Sequence, residues 1–203
     1  MTDQVGALFL GVFRARKPSR LALKSQPRKT SRSLQRRHLE NGAPMQVEYI
    51  NPFIKSTLVT FDTMLGCTIK RDKLCMADQV NDKYEISGVI GLSGRAQGSV
   101  VVSLSREVAI QGAAAMLMMD ANEFDDLNED VIDAVGEIAN MVAGSAKAEL
   151  EELNLSISLP NVVLGHPPDI RFPSQVKPIA VTFDCPWGPM ALKVGFTPVH
   201  AMI

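Results

Sequence analysis

With 203 residues and 46% apolar side chains, the chain has material for one folded domain and little for a second. Its net charge of −1 hides two differently composed pieces: residues 1–44 carry ten Lys or Arg against two acids, and residues 45–203 carry eleven against twenty. No apolar run approaches the roughly 18–20 residues of a spanning helix, and three cysteines without CxxC spacing beside three histidines argue against a zinc site.

The opening apolar stretch, Val5 to Phe13, precedes its positive charges, the reverse of a secretory signal. Residues 14–44 are rich in Arg, Lys, Ser and Gln and lack periodicity, so residues 1–44 are predicted to form a disordered basic extension. No aromatic residue interleaves those charges after Phe13, so a nucleic-acid role is not expected. Reduced, buried thiols and the absence of a spanning segment predict a cytoplasmic protein.

A domain pattern begins at residue 45. Asn51-Pro52 reads as a helix start, with Asn51 as N-cap, and Gly66 as its stop. Strands follow near Cys67–Lys73, Tyr84–Leu92 and Ser99–Leu104, with a glycine-containing turn before the last. A helix from Arg106 to Met119 leads through an acidic stretch to a longer helix over residues 129–153. Strands near Ser156–Leu164, Ile179–Asp184 and Ala191–Phe196 close the domain, with Pro186 to Pro189 turning between the last two. This order predicts an α+β fold: a tandem repeat of two helix-plus-three-strand units forming one sheet packed by two long helices.

On the helix over 129–153, Ile132, Val135, Ala139, Val142, Ala146, Leu150 and Leu153 form a core stripe. Asp133, Glu137, Asn140 and Gly144, spaced four, three and four, form a second stripe about 130° away. Asn is a mediocre mid-helix residue, and Gly136 and Gly144 each cost about 1 kcal/mol relative to Ala. Asp133 and Glu137 repel mildly where a lysine would have helped. On periodicity alone, the solvated side of an amphipathic helix is the simpler reading.

Asp133 followed by Glu137-Ile138-Ala139-Asn140 resembles the Asp/Ser-x3-Glu-x2-Asn signature of the CheC/CheX/FliY chemotaxis phosphatases. Glu48 to Phe53, Gly91 to Gly94 with Gly98 to Val100, and Gly144-Ser145-Ala146 are similar to CheX-type members, as is Leu159-Pro160. The resemblance covers about residues 45–198. It implies a CheC-like fold and a phosphatase that removes the phosphoryl group from a CheY-like response regulator's aspartate. Asn140 and Glu137 would be catalytic, with Asp133 and Gly144 contacting the partner. Mg²⁺ would come with the regulator, none bound by this chain, and CheX-like relatives suggest a homodimer through sheet edges. The first helix offers Lys55, Val59 and Asp62 where the second has Asp133, Glu137 and Asn140, which implies one site per chain. The family's proline lies further downstream than Pro160, so the resemblance assigns Pro160 no role. The alternative is a CheX-like module that docks on a receiver or a flagellar switch component without catalysis.

Overall fold

The computed structural model describes residues 47–80, 84–165, 170, 172 and 176–199. The expected disorder of residues 1–44 and the domain boundary at residue 45 lie outside them. A 3₁₀ turn, Val47–Ile50, runs directly into helix α1, Asn51–Leu65. Ile50, already in the right-handed helical region, is the residue that precedes the helix, and no side chain caps it. Asn51 is therefore not the N-cap; it sits in the first turn because the 3₁₀ turn has already set the helical direction. Gly66 closes α1 in the left-handed conformation, φ 63°.

Strands β1, Lys70–Met76, β2, Ile86–Ser93, and β3, Ala96–Leu104, follow. β1 starts three residues later than expected, because Gly66 and the residues after it complete the helix exit. Only Gly94 and Arg95 separate β2 from β3, so the hairpin is tighter than its glycine content suggested. Gly94 has φ 124°, and a Cβ there would lie 2.3 Å from the Asn154 carbonyl oxygen.

Helix α2, Arg106–Leu117, is capped by Ser105 and leads to α3, Glu129–Glu149. The latter ends four residues earlier than the periodicity predicted, and Glu151–Leu153 continue as a 3₁₀ turn. Then come β4, Ser156–Ile157, β5, Asn161–Leu164, β6, Ile179–Asp184, and β7, Met190–Pro198. The strand expected over 156–164 is thus split at Ser158 to Pro160, where proline has no N–H to give a ladder. Trp187, in the turn between β6 and β7, is half-buried against the core.

The α+β class holds: one antiparallel sheet has the order β1-β6-β7-β3-β2-β4, with β5 also on β2. Exchanging β1, β2 and β3 for β4/β5, β6 and β7 maps every strand pairing onto another, with the β3–β7 ladder at the centre. Side chains of α1, α2 and α3 share one apolar core with the sheet, built on Phe53, Phe61, Ile90, Leu104, Ile138 and Phe196. α1 packs on α3, and Lys55 near the start of one pairs with Glu149 at the end of the other, 2.7 Å apart, so the two run in opposite directions.

At the far edge, β1 presents Lys70, Arg71, Asp72 and Lys73, all exposed, and has a bulge between Arg71 and Leu74. Both features discourage edge-to-edge pairing. Cys67 and Cys185 are buried with their Sγ atoms 4.0 Å apart, while Cys75 is half-buried; all three are free thiols. Burial, and then the neighbouring Cys185, push the Cys67 thiol up to about 12. No helix among the described residues is long and apolar enough to cross a membrane.

Candidate functional site

α3 owes its start to Asn128, whose side chain accepts a hydrogen bond from the Val131 N–H at 3.0 Å. Glu129 and Asp130 occupy the first turn and Lys147 the last, each matched to the helix dipole. The connection from α2 is tied down by Arg106, which pairs with Asp126 and also donates to the Asp125 carbonyl.

Behind the helix, Val135, Ala139, Val142 and Ala146 are buried as the periodicity predicted, with Ile132 half-buried. α3 lies very close to β2: a Cβ added to Gly88 would stand 2.7 Å from Ala139 Cβ and 3.0 Å from the Val135 carbonyl oxygen. The glycine in the strand is what lets the helix backbone approach.

In front, Asp133 and Glu137 are exposed, and Asn140 and Gly144 are half-buried. The Asn140 amide points at the Glu137 carboxylate, Nδ2 to Oε2 3.5 Å, so the two form a loosely joined pair on the open face. All four residues of the expected stripe therefore share one surface. The two glycines, however, differ. Gly136 is buried, not outward-facing: a Cβ there would meet Val162 Cγ2 at 3.4 Å and Pro160 Cβ and Cγ at 3.6 Å. Gly144 has open space, with Ile157 Cδ1 the nearest atom, at 4.0 Å.

Pro160, to which sequence reasoning gave no role, thus packs beside the site helix one residue from Glu137. Its loop hangs from β2, with Ser158 donating its N–H to the Gly91 carbonyl and accepting from the Gly91 N–H, both at 2.9 Å. The available signal was Gly136 itself, a helix-interior glycine with no place on the exposed stripe.

Two depressions flank the stripe. One, about 260 Å³, lies between Met116 and Leu117 of α2 and Asp130, Asp133, Ala134 and Glu137 of α3. The other, about 500 Å³, lies beside Gly144, Lys147 and Ile157. Among the described residues no group of three or more His, Cys, Asp or Glu is placed to hold a metal ion. On α1, Lys55 is engaged by Glu149, and Asp62 accepts from the Thr68 hydroxyl at 3.0 Å. The corresponding face of α1 carries no carboxylate–carboxamide pair.

Residues 86–184 match the family described as chemotaxis phosphatase CheX. The CheY-P phosphatase CheX of Thermotoga maritima is 32% identical over 123 residues, 60% of this chain and 78% of its own length. The crystal structure of chemotaxis protein CheX from Vibrio vulnificus is similar with a TM-score of 0.67 at 31% identity, covering 74% of this chain and 99% of that one. A CheC-like superfamily protein from Shewanella sp. PV-4 gives 0.66 at 28% identity, covering 75% and 99%.

Proposed function

The chain belongs to the CheX family of chemotaxis phosphatases, and from that footing we propose that it hydrolyses the aspartyl phosphate of a CheY-like response regulator. The observation that carries the reading is the outward-facing Glu137–Asn140 pair on an otherwise well-packed helix. A Thermotoga maritima relative named as a CheY-P phosphatase supports the choice of substrate.

Phosphoryl transfer requires little covalent chemistry from the protein; it requires positioning and charge stabilisation. Mg²⁺ and a lysine on the receiver supply the charge stabilisation in this scheme. Asn140 supplies the position. Its carboxamide both accepts and donates, so it can hold a water in line with the scissile bond without needing to ionise. Glu137 is one turn away and pairs with the receiver's lysine, and Asp133 extends the same acidic face.

Gly144 supports the docking half of the scheme. A methyl group at that position fits within the chain and would favour the helix by up to about 1 kcal/mol. The bare backbone therefore serves close approach by a partner better than it serves folding. Self-association through sheet edges enters in a narrower form, at β5 with its exposed Leu164, since the opposite edge is blunted by charge and a bulge.

The experiment follows the decay of a phosphorylated CheY-like receiver with the wild-type chain and with Asn140→Ala. Acceleration by the wild type and its loss by at least about 100-fold in the variant is the expected result, with an unchanged unfolding midpoint. Binding of the receiver without acceleration would instead identify a docking module.

A further inference from the structure

α2 ends in a way that its own stability does not explain. Met118, the residue after the helix, takes the left-handed conformation, φ 55° and ψ 38°. Glycine, and sometimes asparagine, is the usual occupant there, because a Cβ crowds the carbonyl in that region. The conformation leaves the Met118 side chain 95% exposed, between Leu117 at 46% and Met119 at 42%. Three successive large apolar side chains facing water mark a contact surface more often than a fold requirement.

The start of this lip lies beside the acidic stripe of α3. Met116 and Leu117 form one wall of the 260 Å³ depression whose other wall carries Asp130, Asp133 and Glu137. Leu117 belongs to both the lip and this wall, so the apolar lip adjoins the acidic stripe at Leu117, an arrangement complementary to a partner face that sets an apolar side chain beside a cation. Resting on the phosphatase reading above, we propose that Leu117, Met118 and Met119 dock the receiver next to its phosphorylated aspartate and set which receiver is dephosphorylated. Methionine suits this task, since its unbranched, polarisable side chain adapts to the surface it meets.

The test compares the full-length wild type with Met118→Asn on a purified, phosphorylated CheY-like receiver. Asparagine fits the left-handed position better than methionine, so the variant should unfold at a higher temperature. KM should nevertheless rise about tenfold, with kcat unchanged, because the side chain touches the partner and not the reacting atoms. An active wild type whose KM is unmoved by Met118→Asn overturns this inference and leaves the phosphatase reading standing. The same holds if the substitution abolishes self-association in sedimentation while KM stays constant, which would give the lip to a second copy of the chain. A wild type that neither binds nor dephosphorylates receivers overturns both.

Discussion

Gly144 separates what a helix wants from what this surface does. Its would-be Cβ has no neighbour closer than 4.0 Å, so Gly144→Ala should stabilise the fold by about 0.5–1 kcal/mol. The same methyl group would stand between the helix and a docked receiver, and turnover of a phosphorylated receiver should fall several-fold. Paired denaturation and dephosphorylation measurements check this; a more stable variant with full activity would remove Gly144 from the interface. Asp133, Glu137, Asn140 and Gly144 were legible in the sequence because a 3.6-residue period fixes which side chains share a face. Pro160 was not, since its contact with Gly136 spans 24 positions and depends on how Ser158 hangs the loop from β2. Met118 was hidden for another reason: Met116 to Met119 continues a helical apolar pattern, and nothing in that pattern signals a left-handed turn.

Among the elements, α3 packs tightly on β2 at Gly88. Gly88→Ala would force a methyl group to within 2.7 Å of Ala139 Cβ and 3.0 Å of the Val135 carbonyl, neither of which is the end of a flexible side chain. The helix must lift from the sheet, so a loss of about 1–3 kcal/mol is expected, read as a lower urea midpoint. An unchanged midpoint would mean that the sheet, not the helix, absorbs the strain. Sequence patterns located the three α-helices and most strands of the described residues, because capping residues, glycine stops and alternation are local signals. They failed where pairing decides the boundary. β1 starts at Lys70 because that residue pairs with Asp184, the last of antiparallel β6, and β4 separates from β5 around a proline that cannot donate.

For the molecule as a whole, Cys67 links stability to pH. It sits at the exit of α1 against Cys185 beyond β6, and burial followed by that neighbour raises its thiol from 9.0 to about 12. Well below pH 9 the thiol is protonated in both folded and unfolded chains and contributes no slope. As pH rises above 9, the unfolded chain loses this proton while the folded one keeps it, so stability falls through the window up to about 12. The slope contributed is at most about 1.4 kcal/mol per pH unit. Cys67→Ala should remove that component, and parallel slopes for the two proteins between pH 9 and 10.5 would show that the thiol is not held back. The paired edges and the central β3–β7 ladder lie beyond local sequence signals, since they depend on contacts between distant halves of the chain. Glu137 and Asn140 stand on an open helix face, not inside a cavity, so a small acyl phosphate gains no enclosure there. In this scheme the reaction chamber exists only while two proteins touch. An inhibitor would have to imitate a protein surface, and the cell's small phosphorylated metabolites pass by unspent.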